Sequence, residues 1–258
     1  MPPTFLRDPV VPSVDPPNSQ TYVQGFGKIP SYRGDIPSPL NAMWYVPDNV
    51  SELFKINYPA SEIRGWLKEA AAYHGVPLEL AAVILQMENP PEHGTVRKVL
   101  QFGERSLTTF LAIVDDHAFD LVPDKIGSLH IAEGTSGIAN MRRQVVRDAA
   151  DYVEKTLGRP VIPDDVRSRV FGWNQDTRIP GDDLKADFYY LTAHLRQLID
   201  RETGTKNYSG TLSVTQIQNI ADRYVGEIPN SCAWPGKHAT SILQNAAAGR
   251  EPLYFYET

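Results

Sequence analysis

The sequence predicts an all-α domain reached through a proline-rich, extended N-terminal arm. Three observations carry that expectation. Apolar residues recur at helical spacing in successive stretches from Ile63 onward, the signature of helices packed on one core. No stretch alternates apolar and polar residues convincingly enough to be a strand. Of the 21 prolines, 11 fall at or before Pro59, with many Ser, Asn, Gly and Asp among them, so the first 58 residues cannot be regular structure.

Residues 1–58 therefore read as an arm and residues 59–258 as the body. Phe26, Tyr32, Met43, Trp44 and Tyr45 make the arm too apolar for a free linker and predict that it docks on the body. The body opens near Ser61 with a helix marked by Ile63, Trp66, Leu67, Ala70 and Tyr73 and closed by Gly75. A second helix, V-P-L-E-L-A-A-V-I-L-Q-M-E-N over residues 76–89, follows at once and makes a tight helical hairpin with the first. Pro77 suits its first helical position, Leu80, Val83, Ile84 and Met87 share one face, and Asn89-Pro90-Pro91 stops it. Short helical patterns over 95–100 and 106–114 precede a long irregular excursion over 115–140, and such loops inside compact domains are usually functional.

A helix over 141–157 is expected to turn Val145, Ala149, Tyr152 and Val153 inward and Arg142, Arg143 and Arg147 outward, with Gly158 ending it. A short helix over 164–171 leads to the longest one, 182–203, whose Leu184, Phe188, Leu191, Leu195 and Leu198 are spaced 4-3-4-3 and make it the central helix. Ser213 with Gln216 forms a capping-box pattern ahead of Ile217, Ile220, Ala221 and Tyr224. Pro235 opens a last helix with Ala239, Ile242, Leu243 and Ala246 inward, closed by Gly249.

Composition excludes several function classes. A net charge of −6 argues against a nucleic-acid partner, which calls for a basic surplus to neutralise phosphates. Cys232 is the only cysteine, so there is no intrachain disulfide and no cysteine-based metal cluster. The longest apolar run, 80–85, is far too short for a transmembrane segment. The N-terminus, M-P-P-T-F-L-R-D-P, lacks the basic and then apolar order of a secretory signal, so either the protein works in the cytoplasm or it leaves its producer by a route that reads no such signal. The six histidines include no H-E-x-x-H and no close pair at zinc spacing. In Gly134-Thr135-Ser136-Gly137 a glycine follows the serine directly, which is not the G-x-S-x-G nucleophile elbow.

Glu88 is the residue with the clearest chemical promise. At about 100° per residue from Leu80 it falls roughly 80° round, at the margin of the apolar stripe. A carboxylate in the last helical turn meets the negative end of the helix dipole, and apolar neighbours withhold water; both favour its protonated form, which a general acid needs. Taken alone, the same helix equally fits an ordinary solvated glutamate.

Three stretches carry a family resemblance. Y-H-G-V-P-L-E-L-A-A-V-I-L-Q-M-E at 73–88 resembles the catalytic-glutamate hairpin of goose-type lysozymes and soluble lytic transglycosylases. T-S-G-I-A-N-M at 135–141 resembles their cleft-lining G-L-M-Q segment, and A-D-R-Y-V-G-E-I-P-N at 221–230 their late A-x-x-Y-N-x-G segment, in the same order and spacing over roughly residues 55–250. With the missing signal and the late Tyr-Val-Gly followed by Trp-Pro, the chain is most similar to lysozyme-like muramidase effectors of bacterial type VI secretion systems. It departs from the pattern at Asn140, where Gln is usual, at Val225, where Asn is usual, and after Glu88, where no Ser follows.

The resemblance implies a lysozyme-like helical domain that cleaves the β-1,4 bond between N-acetylmuramic acid and N-acetylglucosamine in peptidoglycan, acting as an antibacterial effector in the periplasm of a target cell. Glu88 is then the general acid and Glu133 the first candidate for the second carboxylate, since goose-type enzymes carry an acidic residue just ahead of the glycine segment, with Asp115 and Asp116 the next candidates. Ser136, Asn140 and Met141 would line the cleft, and Tyr224 would pack beside Glu88 and hydrogen-bond it or a sugar. No cofactor is required. Calcium is implied by the effectors, with Asp115 and Asp116 as the weak candidates. A cognate immunity protein and a secretion-apparatus component are the other implied partners. Two further readings stay open: a lytic transglycosylase or phage-type endolysin of the same fold, for which one glutamate suffices, and a catalytically silent wall-binding or secretion-apparatus component that docks through the arm.

Overall fold

A computed structural model describes residues 22–23, 25–37, 58–89, 135–136, 138–167, 183–226 and 234–258. The described residues are mainly helical: α1 (Ala60–His74), α2 (Leu78–Glu88), α3 (Arg143–Leu157), α4 (Asp164–Arg167), α5 (Leu184–Thr203), α6 (Val214–Val225) and α7 (Trp234–Ala247). Short strands also occur, contrary to the sequence reading. β1 (Tyr22–Val23) runs parallel to β4 (Thr211–Leu212), and β2 (Thr135–Ser136) antiparallel to β3 (Met141–Arg142). Two residues are too few to leave an alternating pattern. The patterns over 95–100 and 106–114, most of the excursion, Met43, Trp44, Tyr45 and residues 168–171 lie outside the described residues.

The spacing of leucines predicts that α5 is central, and it packs against α1, α3 and α6 while also touching α2 and α4. It is buried well beyond its leucine stripe, and Lys185, Asp187, Thr192, Arg196 and Asp200 are all within the interior. Each of these polar groups must therefore find its partner inside the protein. Lys185 pairs with Glu69 of α1 at 3.0 Å and with Asp165 of α4 at 3.2 Å. Arg196 donates to the carbonyls of Gly75 (3.0 Å) and Tyr208 (2.8 Å) and pairs with Asp200 one turn on. Asp200 in turn accepts from the backbone N–H of Asn207 (2.7 Å) and Tyr208 (3.0 Å) and from the Tyr152 hydroxyl (2.8 Å). The hairpin between α1 and α2 is fixed by the same arginine, because Gly75, at φ +64°, turns the chain in a conformation that favours glycine and offers its carbonyl to Arg196.

In α2 residues 80–86 are all buried, so the helix is enclosed on every side rather than along the single face that Leu80, Val83 and Ile84 predict. Ala81 and Ala82 let neighbours approach closely, and the helix packs against α1, α5 and α7. Burial of Leu80, Val83, Ile84 and Leu85 contributes about 1.5–3 kcal/mol each, which is what holds Glu88 at the end of a rigid element. Pro77 is the N-cap rather than the first helical residue. Helix α3 starts two residues later than expected, since Met141 and Arg142 pair with β2, and its buried face carries Val146, Ala149, Ala150 and Val153 while Val145 is half-buried.

The capping box at Ser213 and Gln216 forms as the sequence predicts. Helices α6 and α7 approach so closely that a Cβ on Gly236 would lie 2.5 Å from the Gln218 carbonyl oxygen. The described part of the arm joins the same core through Phe26, Ile29 and Ile36. Arg64 of α1, itself buried, donates to the carbonyls of Gly34 and Tyr254 (2.7 Å for the latter), and the Tyr32 N–H donates to the Tyr256 carbonyl at 2.8 Å, so arm and C-terminal tail are bound together over α1. Among the described residues no helix is long and apolar enough to cross a membrane.

His74 supplies a test of this packing. It is fully buried, and its Nδ1 is hydrogen-bonded to the Thr192 hydroxyl at 2.7 Å. Burial, reinforced by the Arg159 and Arg196 guanidiniums, pushes its pKa down to about 3. The unfolded chain then takes up a proton below about pH 6.5 that the native state refuses, so stability is present near neutrality and declines as the pH falls from there toward 3. Urea unfolding should show His74→Gln with a shallower decline than wild type, by up to about 1.4 kcal/mol per pH unit in that window. Parallel profiles for the two proteins would show that His74 is not held neutral.

Candidate active site

Glu88 is the last residue of α2 and is half-buried. The carboxylate is met from across the chain by Asn140, whose Nδ2 donates to Glu88 Oε2 at 3.0 Å. Asn140 closes the turn at 138–140 between β2 and β3 and adopts φ +53°, a left-handed conformation that asparagine tolerates better than most residues.

The turn that presents Asn140 is anchored from three helices. Ile138 and Ala139 are fully buried and give it an apolar footing. Asp187 of α5, also fully buried, accepts the Ile138 N–H on Oδ2 at 3.0 Å. Asn89, which follows Glu88 and caps α2, donates from Nδ2 to the carbonyls of Leu85 and Ile138, both at 2.9 Å. Tyr224 of α6 donates its hydroxyl to the Ala139 carbonyl at 2.6 Å. Buried backbone groups of an irregular segment need such partners, and here they come from rigid elements.

This arrangement joins three of the residues singled out in the sequence, Glu88, Asn140 and Tyr224, and corrects the role of a fourth, Met141. Glu88 and Asn140 are in direct contact. Tyr224 reaches the same turn through the Ala139 carbonyl, to which its hydroxyl donates. Its ring lies against that of His194, centroids 5.4 Å apart, and burial lowers the His194 pKa to about 4 against the opposing Gln197 hydrogen bond and Asp148 charge, so the imidazole beside Tyr224 is neutral at pH 7. Met141 is buried in the core rather than lining a cleft, because its position in β3 directs it inward. Ser136 is placed by its backbone, opposite Met141. Glu133, Asp115 and Asp116 lie outside the described residues.

Asp187 and Asn89 are the participants that sequence reasoning missed. Asp187 interrupts the apolar stripe, three residues after Leu184 and four before Leu191, and a carboxylate at a core position of an otherwise apolar face is a signal of a buried hydrogen-bonding role. Asn89 reads in sequence only as a helix stop. Among the described residues no cluster of three or more His, Cys, Asp or Glu side chains is arranged to hold a metal ion. Comparison with family models, curated proteins and solved structures gives no match.

Because Asn89 donates to two backbone carbonyls while itself buried, Asn89→Ala should destabilise the protein by about 1–3 kcal/mol in urea unfolding. A loss below about 0.5 kcal/mol, the range of an ordinary surface change, would contradict its place in the anchor.

Proposed function

We propose that the chain is a peptidoglycan glycoside hydrolase that cleaves the β-1,4 bond between N-acetylmuramic acid and N-acetylglucosamine, with Glu88 as its general acid. The observation that carries this reading is the 3.0 Å contact between Glu88, at the end of an enclosed apolar helix, and Asn140 of the anchored turn. The sequence likeness to goose-type lysozymes and type VI effectors supports it, since two of the three stretches that carry it hold Glu88 and Asn140.

In this reaction the Glu88 carboxyl gives its proton to the glycosidic oxygen as the bond to the anomeric carbon breaks, and the leaving sugar departs as an alcohol. Water then adds to the anomeric carbon. Glu133 is the proposed base that takes the proton from that water, and Glu88 regains its own from solvent. In the lytic alternative the substrate's 6-hydroxyl attacks instead and returns its proton to Glu88, which leaves an anhydro ring and no role for a second carboxylate. Delivery to the periplasm of a competing cell, where this polymer lies, is the biological setting we propose. Calcium bound near Asp115 and Asp116, an immunity protein and a secretion component remain proposals drawn from the same likeness.

Glu88→Gln is nearly isosteric and should abolish digestion of purified sacculi while leaving stability within about 1 kcal/mol of wild type. Retained digestion would refute the reading, and absence of any product with the wild-type protein would favour a silent wall-binding component. Mass spectrometry of the fragments separates hydrolysis, with reducing ends, from the lytic route, with anhydro ends.

Glu133→Gln gives the complementary test. Loss of a general base should lower turnover about 10²- to 10⁴-fold with little change in thermal stability. A near-normal rate would remove Glu133 from the mechanism, and a rate reduced only in step with stability would make it structural.

A further inference from the structure

Asp187 is a carboxylate sealed inside the protein at the level of the candidate site, yet the proposed reaction does not use it. Its acceptor oxygen meets the Ile138 N–H at 3.0 Å, and Ile138 is two residues from Asn140, whose amide meets Glu88. Tyr224 holds the residue between them, through the Ala139 carbonyl at 2.6 Å. We propose that Asp187 and Tyr224 are positioning residues for Glu88, acting through the 138–140 turn to keep the Asn140 amide on Glu88 Oε2.

The consequence is chemical as well as geometric. An amide N–H on Oε2 marks that oxygen as an acceptor and favours Oε1 as the oxygen that carries the transferable proton. The same donation stabilises the ionised carboxylate, which sets how readily Glu88 releases its proton. Asn140, in the left-handed region at φ +53°, keeps this aim only while the turn is held. The charged and titratable groups brought to the turn by the described elements are Asp187 of α5 and Tyr224 of α6, with the neutral His194 behind Tyr224 and Arg142 and Arg143 following along the chain.

This assignment rests on Glu88 being the acid of the proposed reaction, but it can be read without substrate. The experiment is a carbon-13 NMR titration of the Glu88 side-chain carboxyl in the full-length protein, wild type and variants, in the absence of any sugar. Asn140→Ala should raise the Glu88 midpoint by about one pH unit, the equivalent of a charge-assisted hydrogen bond. Asp187→Asn and Asp187→Ala both remove a negative charge, which by itself lowers the midpoint, but only alanine removes the acceptor for Ile138. The Ala variant should therefore titrate above the Asn variant. Tyr224→Phe should raise the midpoint in the wild-type background and leave it unmoved when Asn140 is already alanine.

Equal midpoints for the two Asp187 variants would overturn the proposal, as would an undiminished Tyr224→Phe shift in the absence of the Asn140 amide. If Asp187→Ala does not fold, the Tyr224 and Asn140 pair decides the matter alone. Failure of sacculus digestion by wild type would sink the glycosidase reading and leave these midpoints to be judged on their own.

Discussion

The enclosure of α5 is the constraint on which the rest of the structure depends. A helix buried well beyond one face cannot leave its polar side chains to water, so each of them is obliged to satisfy something within the fold. In this protein their partners include the non-helical connections. Arg196 and Asp200 take up backbone groups of the α1–α2 hinge and of residues 207–208, while Asp187 takes up the N–H of the turn at 138–140. Thr192 and Lys185 tie α1 to the same helix through His74 and Glu69. Irregular segments that sequence propensity leaves undetermined are thereby fixed by the central, buried helix.

The candidate site follows from this arrangement. Helix α2 delivers Glu88 because its apolar residues are enclosed by α1, α5 and α7, and the turn delivers Asn140 because Asp187, Asn89 and Tyr224 hold its backbone. Neither half of the pair depends on a loop finding its own conformation. Preorganisation of this kind is what proton transfer to a glycosidic oxygen requires, since the acid must already be aimed when the bond begins to open.

How much of this was legible in the sequence depended on whether the signal was periodic. The helices were legible, and so were the central place of α5, the Ser213 capping box and the inward residues of α7, because burial along a helix repeats every three to four residues. Glu88 and Asn140 were each singled out, yet their contact spans 52 positions and no local pattern encodes it. The two-residue strands were invisible because alternation needs length. The position of Asp187 within an apolar stripe was readable, but its partner was not, since that partner is a backbone N–H that every residue but proline carries.

The central claim is that the Glu88 and Asn140 pair sits where the wall polysaccharide binds and is cleaved. It is tested most directly by titrating isotope-labelled Glu88→Gln protein, which leaves the sugar intact, with a soluble oligomer of alternating N-acetylglucosamine and N-acetylmuramic acid while recording side-chain and backbone amide spectra. Saturable shifts should be concentrated on the Asn140 side-chain amide, the amide that the substitution introduces at position 88 and the backbone at 138–140. Saturable binding that leaves these signals unmoved, or no binding at all, would contradict the claim.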